Sequence, residues 1–206
     1  MTNPTGITAF RERLRTTVRG DLAQVAVELF LEHGFDAVTV DAIAAAAGVS
    51  RSTFFRYFQT KEDAVLAHVE ARGEQFRQAA LARPADEPAL LAARNALTPL
   101  IEDMSRNRER SVAINGLIER TPSLRARRID KQLVLRTMLA DAMANRMATD
   151  PATDLRPALI AGVTLSVFEA AHTAWLSAND DTNLADLVDE AFVTVGVAFA
   201  TAAVQP

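Results

Sequence analysis

Apolar positions recur every three or four residues along nearly the whole chain, and no segment alternates apolar and polar residues as a half-buried strand would. Leu22, Val25, Ala26, Leu29 and Phe30 form one stripe of a first helix. Gly34, after His33, closes it, because glycine takes a left-handed backbone at no steric cost. Two short helical pieces follow. Asp41–Ala47 is entered through Thr39 and closed by Gly48; Arg51–Phe58 is entered through Ser50. Both hydroxyl residues can accept a hydrogen bond from an orphan N–H of the first turn. Thr60, with Asp63 three residues on, reads as an approximate capping box opening a helix to about Leu81. The run Arg83-Pro84-Ala85-Asp86-Glu87-Pro88 breaks that helix. A helix from Ala89 to about Ser105 should kink at Pro99, which lacks a backbone donor. Ser111–Arg120 is helical, and Thr121-Pro122 caps and opens a helix to about Ala148. Two last helices are expected at Leu155–Ser177 and Leu184–Thr201. The expected fold is all-α: three short N-terminal helices followed by six longer ones, nine in all. The expected domains are residues 1–60 and 61–206.

Two helices of about two turns, joined at Gly48-Val49-Ser50, suit a helix-turn-helix, whose second helix enters the DNA major groove. Phe54 and Phe58 lie four apart and share a face. With Val40, Ile43, Ala44 and Val49 they can form a small core. That leaves Arg51, Ser52, Thr53, Phe55 and Arg56 for DNA. Arginine bonds guanine O6 and N7 in pairs, while threonine methyls and aromatic rings touch the thymine methyl. Phe55 also stands beside two core aromatics, so burial is its alternative. Tyr57 and Lys61 follow at the helix end, placed for phosphate. Thr39 caps its helix, and a capped N-terminus is itself a phosphate site. Arg11, Arg13, Arg15 and Arg19 read equally as an arm following DNA or as a charged extension of the first helix.

The chain resembles the tetracycline-repressor (TetR) family of transcriptional regulators. The resemblance lies in Phe30, Gly34-Phe35, Thr39-Val40, Ile43-Ala44, Ala47-Gly48-Val49-Ser50, Thr53-Phe54-Phe55, Tyr57-Phe58 and Lys61-Glu62, and covers about residues 17–66 closely. It implies a nine-helix protomer, a homodimer formed by the last two helices (155–177 and 184–201), a C-terminal effector cavity, and repression of a palindromic operator. By position it implies DNA contacts from Thr39, Arg51, Ser52, Thr53, Phe55, Arg56, Tyr57 and Lys61. Phe55 departs from the family, which commonly has tyrosine there, so a phosphate bond through that hydroxyl cannot form.

Composition narrows the chemistry. The chain has no cysteine, and His33, His68 and His172 are too scattered for a metal site. No nucleophile–base set and no phosphate loop is present, so neither an enzyme nor a cofactor is expected. No eighteen-residue stretch is apolar without a charge, and the N-terminus lacks a basic-then-apolar leader; a cytoplasmic protein with no membrane partner is expected. The net charge of −4 divides into +1 over residues 1–61 and −5 over the rest, and a local basic cluster suffices to meet phosphate. Arg106, Arg108, Arg110, Arg120, Arg125, Arg127 and Arg128 read as a solvated face before an anion site. An effector would be largely apolar, with Ile114, Met138, Phe168, His172 and Trp175 as candidate contacts. His172, three residues from both Glu169 and Trp175, suits a polar corner of that cavity or of a dimer interface equally. A regulator without any ligand is the alternative function, and a helical enzyme or carrier without a recognisable catalytic motif is the alternative from another class.

Overall fold

The computed structural model describes the backbone of residues 4–179 and 181–202, with the side chains there except those of 4–7, 9, 12 and 197–202. Among the described residues every regular element is a helix. The order is α1 (Pro4–His33), α2 (Val40–Ala46), α3 (Arg51–Tyr57), α4 (Lys61–Leu81), α5 (Ala89–Ala96), α6 (Thr98–Arg106), α7 (Arg108–Arg120), α8 (Pro122–Met147), α9 (Arg156–Ser177) and α10 (Leu184–Ala202). Ten segments stand where nine were expected because the helix at 89–105 is interrupted rather than bent. Pro99 cannot donate to Asn95, and its ring would crowd that carbonyl. The chain tightens at Leu97, whose N–H bonds the Arg94 carbonyl at 3.1 Å, and Pro99 falls in the first turn of α6, where no donor is needed. Arg11, Arg13, Arg15 and Arg19 all lie on α1, so the charged-extension geometry is the one adopted.

The chain packs as two compact units, residues 1–71 with 113–131, and residues 72–112 with 132–206. Helices α4, α7 and α8 each contribute to both, so the unit holding the helix-turn-helix extends beyond residues 1–60. Its core joins Leu22, Ala26 and Phe30 of α1 to Ile43, Phe54, Phe58, Val65, Leu66, Leu117, Ile118 and Leu124. The second core joins Phe76, Leu97, Ile101, Met104, Leu139, Met143, Trp175, Leu184 and Val188.

Helix α9 is apolar on more sides than its own protomer covers. Its most apolar eighteen-residue window has a mean hydropathy of 1.3, long and apolar enough by composition to cross a membrane, and only 28% of that window is buried. An amphipathic surface helix would keep its apolar residues to one stripe. Leu155 and Leu159 are 66% and 55% exposed.

Helix α8 ends on Ala148 at φ 52°, a left-handed conformation in which Cβ crowds the carbonyl. The ending is otherwise well bonded, with the Thr149 N–H donating to the Ala144 carbonyl at 3.0 Å. Ala148→Gly should therefore stabilise the protein by about 0.5–1 kcal/mol, the usual gain at this capping position. Denaturant titration of the pair would measure it; a loss of stability would contradict the strain.

Candidate functional site

The turn before α3 is built by local chemistry. Thr39 Oγ1 accepts the Ala42 N–H at 3.2 Å, and Ser50 Oγ accepts the Thr53 N–H at 3.1 Å, so both short helices are capped. Gly48, at φ 67°, lets the Val49 N–H reach the Ala44 carbonyl at 2.9 Å and turns the chain into α3. Phe54 is fully buried and Phe58 is 2% exposed. Arg51, Ser52, Phe55 and Arg56 are exposed on the other side, Thr53 and Tyr57 half-buried at the margin. Phe55 is 44% exposed, meets Phe54 edge to face at 5.6 Å, and lies under the Arg51 guanidinium at 5.5 Å. Its buried alternative is thereby set aside. The Arg56 guanidinium stacks on the Tyr57 ring at 5.2 Å. Two cations and an aromatic edge on one solvent face can bond base edges and touch thymine methyls.

One partner on this face was not anticipated. Asp41, in the first turn of α2, accepts from Arg51 at 3.0 Å, and both side chains are 63% exposed. So exposed a pair contributes little to stability. It holds the Arg51 fork beside Phe55 and can yield to a stronger acceptor. A separation of ten residues lies outside any helical spacing, so only the helix-turn-helix geometry brings the two together.

Lys61 points inward more than a phosphate ligand would. Its ammonium donates to the carbonyls of Phe35 at 2.7 Å and Val38 at 3.1 Å and lies over the Phe35 ring, tying the loop before α2 to the start of α4. A half-buried polar network centred on the buried Asp63 braces the same unit. Asp63 pairs with Thr60 as the capping box, receives Arg127 at 3.0 Å and has Lys131 at 3.7 Å. Glu70 pairs with Lys131 and Arg19, and the Arg19 guanidinium lies over the Phe58 ring at 5.1 Å, at the end of α3. Thus α1, α4 and α8 are tied together next to the end of α3.

Burial pushes both carboxyls up, but hydrogen bonds and charge from Arg127, Thr60 and Lys131 at Asp63, and from Lys131 and Arg19 at Glu70, leave each below its ordinary value. A carboxyl lowered in the folded state adds stability that is complete above its unfolded value and fades as pH falls through the folded one. The ordinary values are 3.8 and 4.5. Stability of this unit should therefore fall as pH drops below that range. The double variant Asp63→Asn/Glu70→Gln, weaker at neutral pH, should have a flatter acid limb in thermal melts. An unchanged slope would remove the network from the account.

The five effector candidates divide. Ile114 lies in the core of the first unit with Leu117 and Ile118. Phe168, His172 and Trp175 form a continuous stack on α9, with ring centroids 5.7 and 6.0 Å apart, and Met138 is half-buried on α8. Trp175 is a pinned side chain: its indole donates to the Thr182 carbonyl at 3.1 Å and Arg108 covers its ring at 4.6 Å. Arg108 also donates to the carbonyls of Trp175 and Ala178, capping α9, which gives one of the clustered arginines a structural role. Glu169 accepts from Gln132 at 3.2 Å. One turn before Phe168, the fully buried Thr164 hydroxyl has no hydrogen-bond partner among the described residues. A separate open groove of about 690 Å³ runs along α9 and α10 on another face of α9, and none of the five candidates lines it. The apolar residues of α10 divide between two faces. Leu184 and Val188 are fully buried in the second core, whereas Leu187, Ala191 and Val195 line the groove.

Residues 22–67 match the family model described as bacterial regulatory proteins of the tetR family, and residues 87–200 match that of the MftR C-terminal domain. The HTH-type transcriptional regulator TcmR of Streptomyces glaucescens is 33% identical over 178 residues, 84% of this chain and 78% of that protein. MftR of Mycobacterium tuberculosis, named for the regulation of mycofactocin biosynthesis, is 31% identical over 191 residues, 89% of this chain and 92% of its own. Among solved structures, the complex of SmeT with triclosan shares the fold with a TM-score of 0.54 at 19% identity, covering 86% of this chain and 91% of that one. With its helix-turn-helix and its helical C-terminal region both matched, this chain belongs to the tetR family of bacterial transcriptional regulators.

Proposed function

We propose that the protein is a homodimeric repressor that reads a palindromic operator through α3 and leaves it when a small, largely apolar effector binds the C-terminal unit. The observation that carries the DNA reading is the pairing of a fully buried Phe54 with exposed Arg51, Phe55 and Arg56 on a helix of only seven residues. Arg51 and Arg56 read base edges, Ser52 and Thr53 lie beside them, and Thr39 and Tyr57 hold flanking phosphates. Lys61 serves mainly to fix the domain, with its remaining N–H toward phosphate. The largely uncovered, apolar α9 supports a dimer through 155–177 and 184–201, since a second copy would bury the groove side that its own protomer leaves open. The stack of Phe168, His172 and Trp175 with the unsatisfied Thr164 hydroxyl supports an apolar effector carrying one polar group, and SmeT, which shares the fold, has been solved with triclosan. The protein acts in the cytoplasm, where its operator is.

Mobility shift on the DNA upstream of its own gene tests the regulator. A specific complex at nanomolar protein, competed poorly by random duplex, is the expected result; no preference over random duplex would refute it. Release of that complex by apolar metabolites separates the ligand-responsive repressor from a ligand-independent one.

A further inference from the structure

The α9–α10 groove carries one cation and one anion, and together they prescribe how a second copy sits in it. Arg136, on α8, and Glu190, on α10, both line the groove among small and apolar residues such as Gly162, Ala170, Leu187 and Ala191. Among the described residues neither side chain has an ion-pair partner. Other arginines of the same unit do: Arg94 pairs with Asp189 and Arg156 with Asp154. Arg136 lies directly on Gly162, where a Cβ would stand 2.9 Å from its Nη2. A side chain there would oblige the guanidinium to shift away from α9.

We infer that two copies of this chain dock groove to groove, with Arg136 of each copy paired to the partner's Glu190. The inference rests on the dimer proposed above and adds its register and its selectivity. A two-fold interface is isologous, so a single complementary pair occurs twice. Covering an apolar groove takes water from both charges, and a charge left unpaired there is costly. The interface accommodates them when each meets its opposite. Because the two residues stand on different helices, α8 and α10, reciprocal pairing fixes both the rotation and the slide of one copy on the other. A paralogue with a different charge arrangement would meet like charges and be refused.

Charge reversal tests this on the full chain, read by sedimentation velocity and by native mass spectrometry of copies differing in mass. Arg136→Glu and Glu190→Arg should each weaken homodimerisation by roughly tenfold or more, since each places like charges opposite one another twice. Mixed together, the two variants should form a heterodimer well above the statistical share, because every contact is again between opposites. The double variant Arg136→Glu/Glu190→Arg should homodimerise like the parent and exclude it. Both side chains are exposed in the protomer, and helical content and melting temperature serve as folding controls. Should one reversal fail to fold, the double variant's homodimerisation and its exclusion of the parent still decide. Single variants that dimerise like the parent, or mixtures at the statistical ratio, overturn the pairing while leaving a dimer in place. A parent chain that stays monomeric at micromolar concentration overturns the dimer itself.

Discussion

Phe54→Ala should unfold the helix-turn-helix unit, with a loss of about 3–5 kcal/mol, the range for removing a fully buried aromatic. Helices of seven residues do not persist alone, so α2 and α3 exist because their shared core holds them. Phe54 is central to that core. It is fully buried, lies 5.5 Å from Phe58 and 5.6 Å from Phe55, and shares the interior with Ile43 and Ala44. A marginal domain holds 5–15 kcal/mol in total, so this single truncation removes much of it. The neighbouring Phe55→Ala provides the contrast. With 44% of its surface exposed, Phe55 should contribute under about 1 kcal/mol to stability while its loss weakens DNA binding. Urea titration followed by circular dichroism would separate the two. A Phe54→Ala protein that melts like the parent would remove the proposed core.

How much could be read beforehand depended on whether the cause was local. Thr39, Ser50 and Thr60 cap the turns that follow them, and Gly34 and Gly48 take positive φ, because those interactions span three to five residues. The division of α3 into Phe54/Phe58 and Arg51/Phe55 faces follows from helical spacing alone. What escaped was tertiary. Asp41 meets Arg51 only once two helices and a turn are folded, and Arg108 reaches Trp175 across sixty-seven residues. Lys61 occupies a family position read as phosphate-facing, yet the nearest strong acceptors are carbonyls of a loop some twenty-five residues upstream. Apolarity marks an effector contact and a core residue alike; hence Ile114 falls in one unit's interior and Trp175 in the other's. Pro99 marked the right place, but sequence does not state whether a helix bends or breaks there.

Arg51→Ala should cost on the order of 1–3 kcal/mol per half-site on the operator and relax base preference at the position it reads. A dimer presents the residue twice, so on a palindrome the loss should approach double. The Asp41 pair does not shelter the residue from this effect. Both partners are 63% exposed, and releasing such a pair costs less than a bidentate bond to guanine gains. Asp41→Asn should act in the opposite sense: without a carboxylate beside the phosphates, random duplex should bind more tightly and the ratio of specific to non-specific affinity should shrink. Lys61→Ala should lower affinity for every sequence alike, with a loss of domain stability because two carbonyls lose their donor. Titrating each variant on operator and random duplex at several salt concentrations distinguishes these outcomes, since a base contact changes the ratio between duplexes and a phosphate contact changes the salt slope. Stability to Arg51→Ala should be nearly untouched. If the folded Arg51→Ala protein binds the operator as the parent does, the exposed face of α3 is not the surface that reads DNA.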